Sequence, residues 1–215
     1  MNDWELRLPE LLAARLSEPL PGPAIGPRYE LECPPHRKGH YDPPPRGARA
    51  AAVLILLYPH EDHWHIPLTL RPSHLPDHAG QISLPGGAIE AGESSAAAAI
   101  REFHEELGAA GLEIRGLGKL SSIYVQVSNF HVDPWVGVAE QRPHWAPNAV
   151  EVERLLEIPL AHLRDPVNLG CQQRRQGDCC YQAPHFLWQT YRIWGATCAI
   201  LGELVTVLDD FAANG

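Results

Sequence analysis

The sequence predicts an α/β fold: helices packed in an α/β/α sandwich around a mixed β-sheet. Three observations support this. Two apolar, β-type runs, "RAAAVLILLYP" (49–59) and "HWHIPLTLRP" (63–72), flank "HED" (60–62) as a hairpin. A proline-glycine-glycine turn at 85–87 then leads into an alanine-rich helix over about 94–107. Further strand patterns alternate with helical ones to the end of the chain, which places helices against a sheet rather than in a bundle.

The elements follow in order. "MNDWELRLPELLAARLSEPL" lacks the basic start and apolar core of a signal peptide. Its Trp4, Leu6, Leu11, Leu12 and Leu16 predict a short amphipathic helix that packs on the domain. Residues 19–47 are proline-dense and read as an extended wrapping segment, so the chain divides into an N-terminal helix and proline-rich segment (1–47) and a main domain (48–215). The run at 49–59 reads as a buried strand, with His63, Trp64 and His65 on the hairpin surface rather than as ligands. Strands are expected near 112–127 and 131–139, a second helix near 149–156 and a turn at 160–164. A polar loop is expected at "GCQQRRQGDCC" (170–180), then a hairpin near 179–193 and a final helix near 196–211.

Length and charge narrow the function. A chain of 215 residues suits one domain with extensions. A net charge of −9 argues against a general binder of nucleic acid or of anionic membranes, both of which need a basic surface. No apolar run is long enough to span a bilayer, and a cytoplasmic location is the default expectation. Five cysteines, Cys33, Cys171, Cys179, Cys180 and Cys198, are an odd number that favours thiols over a disulfide framework; with His185 they fit no familiar zinc spacing. A homodimer is expected on base rates alone.

The helix after the glycine turn carries the chemistry. Ser94 or Ser95 suits its N-cap and Gly108 the left-handed residue past its end. Ala96, Ile100, Phe103 and Leu107 form an apolar stripe, while Glu102, Glu105 and Glu106 share a face expected to point away from it. That face works against the helix. Glu102 and Glu106 repel at i,i+4, and Glu105 and Glu106 sit in the last turn, where the macrodipole disfavours anions by roughly 0.3–1 kcal/mol each. Clustered carboxylates are, however, what a hard divalent cation requires.

The stretch "LPGGAIEAGESSAAAAIREFHEELGA" (84–109) fits G-x5-E-x7-R-E-U-x-E-E-x-G-U, where U is bulky and apolar, through Gly87, Glu93, Arg101, Glu102, Phe103, Glu105, Glu106 and Gly108. Ala109 is small where the pattern wants a larger residue. The chain therefore resembles the Nudix hydrolases. The resemblance implies hydrolysis of a nucleoside diphosphate derivative on a catalytic loop–helix–loop with bound Mg²⁺ or Mn²⁺. It places the metal on Glu102, Glu105 and Glu106, with Glu106 holding the principal ion. Arg101 and Glu93 are expected to pair and hold the loop against the helix, while Gly86 and Gly87 allow close backbone approach.

Upstream, "LTLRPSHLPDHAGQISLPGG" (68–87) is similar to the coenzyme A pyrophosphatase branch through Leu68, Thr69, Arg71, Gly80, Pro85, Gly86 and Gly87, with His78 and Gln81 fitting common members. Pro72 and Leu84 depart from that pattern, and Pro76 stands in place of its second arginine. "VDPWVGV" (132–138), "NAVEVERLLEIPLAHL" (148–163) and "RIWGATCAIL" (192–201) resemble later parts of the branch, so the likeness covers about residues 48–208. It implies cleavage of CoA or acyl-CoA to 3′,5′-ADP and 4′-phosphopantetheine, with Arg71, Gln81, Gly86 and Gly87 at the substrate. The missing cation at Pro76 predicts weak discrimination against 3′-dephospho-CoA unless Arg46 or Arg71 replaces it. Two alternatives stay open: another nucleoside diphosphate derivative (ADP-ribose, NADH, a dinucleoside polyphosphate) or a non-catalytic binding module. The base is open as well. Glu105 is either ligand or base, and Glu151, Glu140, Glu153, His131 and His144 lie outside the motif, Glu151 as a further base or ligand.

Overall fold

The computed structural model describes residues 3–23, 44–73, 80–176 and 179–214. Most of the proline-dense segment, Cys33, and the stretch with Pro76 and His78 lie outside these residues.

β1 (Arg49–His60) is the spine of the sheet. It turns into β2 (His63–Leu70) through Glu61 and Asp62, both at positive φ (49° and 60°), which matches the twist of a tight two-residue hairpin. β2 pairs antiparallel with β3 (Ile82–Ser83), and β1 with β4 (Gly86–Ala88). On its other edge β1 runs parallel to β7 (Phe130–Val138), which in turn pairs antiparallel with β5 (Arg115–Lys119) and β6 (Ile123–Val125). With β8 (Arg154–Pro159) beside β2, the sheet has eight strands and is mixed, as expected.

The alternation along β1 explains its unbroken apolar run. Ala52, Leu54, Leu56 and Tyr58 face one layer, where α3 (Ser95–Leu107) supplies Ala98, Ala99, Phe103 and Leu107. Ala51, Ile55 and Leu57 face the other, against Leu8 and Leu12 of α2 (Leu8–Arg15) and Leu201, Leu204 and Leu208 of α5 (Gly195–Asn214). A strand buried on both faces reads as continuous hydrophobicity. A short N-terminal helical turn, α1 (Asp3–Leu6), precedes α2. Among the described residues no helix is long and apolar enough to cross a membrane.

Four expectations change. The helix near 149–156 is instead a turn followed by β8. Asn148 Oδ1 accepts from the Val150 amide at 3.1 Å and closes the turn, and Leu156 and Ile158 then alternate into the core on the free edge of β2. α4 (Leu160–Arg164) follows, where only a turn was expected. The polar stretch at 170–180 is not a loop in its described residues. It forms much of β9 (Leu169–Gln176) and the start of β10 (Cys179–Trp188), which with β11 (Tyr191–Trp194) make a second, three-stranded sheet. His65 is buried rather than on the hairpin surface and stacks against Tyr58, with ring centroids 6.1 Å apart. Among the described residues no three His, Cys, Asp or Glu side chains group as a metal site, zinc included; Cys180 is exposed and Cys198 buried.

Candidate active site

The site is built on α3 and the glycine turn beneath it. Ser94 Oγ accepts from the Ala97 amide at 3.2 Å and starts the helix. Gly108, at φ 61°, ends it by donating to the His104 carbonyl at 2.9 Å. Two further carbonyls of the last turn are met from outside. The Ala146 amide donates to Leu107 O at 3.0 Å and the Asn148 amide to Glu106 O at 2.8 Å, so the 142–148 loop seals the helix end. A second anchor holds that loop. Glu157 on β8 accepts from Tyr58 Oη (2.8 Å), Trp145 Nε1 (2.9 Å) and Arg142 (2.9 and 2.6 Å). Burial opposes its charge, but these donors hold its carboxyl down at about 2.

Arg101 and Glu93 meet as expected. Arg101 Nε and Nη2 reach the two Glu93 oxygens at 3.0 and 3.1 Å, and Nη2 also donates to Ala88 O at 3.0 Å. The guanidinium thus ties the loop after β4 to the helix, and it holds the Glu93 carboxyl below its usual range. Arg101 Nη1 reaches further, to Glu102 Oε1 (2.9 Å) and Glu105 Oε2 (3.0 Å), although its order with Glu105 is the weaker one for a helix pair.

The carboxylates do not all point away from the core. Glu106 is 3% exposed and lies on the buried side, next to Phe103. At about 100° per residue, position 106 falls between Glu102 and Phe103, at the border of the two faces. Its nearest donor is the Gly86 amide, at 3.5 Å from Oε1. Burial pushes its carboxyl up to about 8; the Gly86 amide and Arg71 oppose the rise, and Glu151 and Glu102 add to it. Glu102 is also raised, first by burial, with Arg101 opposing and Glu105 and Glu151 adding. Gly87 makes room for it. A Cβ there would lie 2.5 Å from both Glu102 carboxylate oxygens.

Arg71 ends β2 beside this cluster. Its amide donates to Gln81 O at 3.0 Å and its carbonyl accepts from the Gly80 amide at 3.1 Å, so the strand end is closed by backbone. Its Nε is buried and has no hydrogen-bond partner among the described residues. Of the base candidates, Glu151 is the one whose charge acts on Glu106 and Glu102; its Oε1 accepts from Asn148 Nδ2 at 3.1 Å. Glu140, Glu153 and His144 are exposed. Sequence reasoning missed Asn148, which fastens the end of α3 and aims Glu151. Its only signal was an asparagine after proline in "APN", a turn dipeptide.

The donor set suits a hard divalent ion. Every side-chain oxygen in it belongs to a carboxyl group. Glu106 is a buried carboxyl met by one long amide contact and by Arg71 at its flank, and a bound cation would favour its charged form. Glu102 and Glu106 could hold such an ion once a third carboxylate moves in to complete the set, Glu105 on leaving Arg101 or Glu151 from beside them.

The NUDIX domain family matches residues 48–157. The chain is 36% identical over 166 residues to an "Uncharacterized Nudix hydrolase NudL" of Enterobacter sp. (strain 638), over 73% of this chain and 81% of that one. It is 32% identical over 187 residues to the protein of the same name from Pectobacterium atrosepticum, over 85% and 92%. It is 28% identical over 176 residues to "Nudix hydrolase 3" of Caenorhabditis elegans, over 74% and 73%.

Proposed function

The chain belongs to the Nudix family, and from that premise we propose that it cleaves the pyrophosphate of coenzyme A or acyl-coenzyme A to 3′,5′-ADP and (acyl-)4′-phosphopantetheine, using Mg²⁺ or Mn²⁺. Nudix hydrolases act on nucleoside diphosphate derivatives with divalent metal ions. The observation that carries the finer reading is Arg71. It lies in the stretch similar to the CoA-specific branch, beside Glu106, and its buried Nε is without a partner among the described residues. A buried guanidinium N–H with nothing to bond is costly unless a ligand completes it, and a phosphate oxygen does so well.

The residues divide the work. Glu102, Glu105 and Glu106 would hold the metal, Glu105 on leaving Arg101, and a bound ion would supply charge neutralisation of the pyrophosphate and a lower pKa for water. Arg71 binds a phosphate, and Gln81, Gly86 and Gly87 line its approach. Arg101 and Glu93 fix the loop under the helix. Glu151 takes the proton of the attacking water, because its charge acts on both Glu106 and Glu102 while Glu105 serves as a ligand. Water adds to one phosphorus, the bridging P–O bond breaks, and the bridging oxygen leaves as part of the second phosphate.

Two tests follow. Comparing kcat/KM for CoA, 3′-dephospho-CoA, ADP-ribose and NADH under one metal condition should favour CoA over ADP-ribose and NADH by about tenfold or more, the scale of one charge-assisted phosphate contact. An ADP-ribose or NADH value tenfold above both CoA forms would replace this reading with the other Nudix substrates. Gly87→Ala should leave the fold intact, because Glu102 is the far end of a flexible side chain and can swing aside. Moving that carboxylate should cost on the order of a hundredfold in kcat. Wild-type turnover in a well-folded Gly87→Ala protein would remove Glu102 from the metal site.

A further inference from the structure

One face of the second sheet takes no part in the reaction above. Pairing of β9 with β10 and of β10 with β11 sets Gln172 opposite Ala183, Gly170 opposite His185, and His185 opposite Trp194. With side chains alternating along each strand, Gln172 and Arg174 of β9 share one face with Arg192 and Trp194 of β11. The opposite face carries Phe186 and Ile193 into the core. The Gln172 and Trp194 face forms one wall of a cleft of about 270 Å³, lined by Gln172, Arg174, Tyr191, Arg192 and Trp194 and, from the main sheet, by Gly80.

This cleft is chemically one-sided. Its lining has two arginines and no carboxylate. Neither arginine is in an ion pair among the described residues. The Arg174 guanidinium carbon lies over the Trp194 ring, 3.5 Å from its centroid, a cation–π contact that holds the group over that ring. Gln172 Nε2 is buried and has no hydrogen-bond partner among the described residues. In a chain of net charge −9, two arginines and an amide donor facing one space, none with a polar partner among the described residues, call for an anion. Gly80 links that space to the active site, for its amide donates to the Arg71 carbonyl while the residue lines the cleft.

We propose that the Gln172–Arg174–Arg192 cleft binds a phosphate of the substrate other than the pyrophosphate, namely the 3′-phosphate of a CoA-type nucleotide. The inference rests on the CoA reading above. It supplies the cation missing at Pro76 from a different part of the chain, in place of Arg46 or Arg71. The arginines form the fork, and the Gln172 amide donates from the floor.

The test measures binding of adenosine 3′,5′-bisphosphate and of AMP, which differ only in the 3′-phosphate, to the full chain by calorimetry. The wild-type protein should bind the bisphosphate about tenfold or more tighter than AMP. Arg174→Gln and Arg192→Gln should each bring the two affinities together. Arg192 is exposed, so its variant stays readable if Arg174→Gln fails to fold, as melting curves would show. Equal wild-type affinities, or a difference that survives in a folded variant, would overturn the cleft assignment. CoA hydrolysis by the wild-type protein is read separately. Its absence, with the affinity difference intact, would overturn the substrate reading and leave the anion site standing.

Discussion

Replacing Glu106 by Gln should remove most hydrolysis while leaving the fold at least as stable. The amide keeps the size of the side chain but loses the charge that holds the cation, and loss of a group that stabilises a reaction's charge costs on the order of 10²–10³ in kcat. Stability should move the other way. Glu106 is 3% exposed, is raised first by burial, and is repelled by Glu151 and Glu102. A neutral side chain relieves both costs, so the melting temperature in chelator should equal or exceed that of the wild-type protein. Turnover at saturating Mg²⁺ and melting in chelator read the two halves independently. Near-wild-type turnover would remove Glu106 from the metal site, and a large loss of melting temperature would make its role structural.

That prediction depends on a feature the sequence conveyed only in part. The ends of α3 were legible because they are local: a serine hydroxyl capping an amide and a glycine in the left-handed region. The Arg101–Glu93 pair was legible through the motif. The burial of Glu106 was not, because it depends on where β1 and the Gly86 turn lie beneath the helix. A carboxylate at the border of two helix faces reads as exposed until that floor is in place.

The strands read as helix or loop were missed for a related reason. "VEVERLLEI" carries apolar residues at both helical and strand spacing, and the free edge of β2 decides between them. The polar residues of β9 look like a loop because Gln172 and Arg174 line the cleft while Cys171, Gln173 and Arg175 between them are exposed, so no core demands an apolar alternation there. Asn148 was invisible because its partners, the end of α3 and Glu151, become neighbours only when the 142–148 loop is anchored through Glu157.

Replacing Arg101 by Lys should lower kcat by about tenfold to a hundredfold, the range typical of residues that orient metal ligands, with KM little changed. Arg101 makes contacts no ammonium can reproduce together: two to Glu93, one to Ala88 O, and one each to Glu102 and Glu105. Lys keeps the charge but lacks the planar fork, so the loop after β4 would come loose from the helix. Glu93→Gln weakens the same clasp from the other side and should give a similar loss. If the two act as one unit, the double variant should be little worse than either single one, since a broken clasp cannot be broken twice. A kinetic double-mutant cycle gives that coupling directly. Losses that multiply would mean that Arg101 acts through Glu102 and Glu105 instead of the loop. A large rise in KM with kcat intact would place its guanidinium on the substrate.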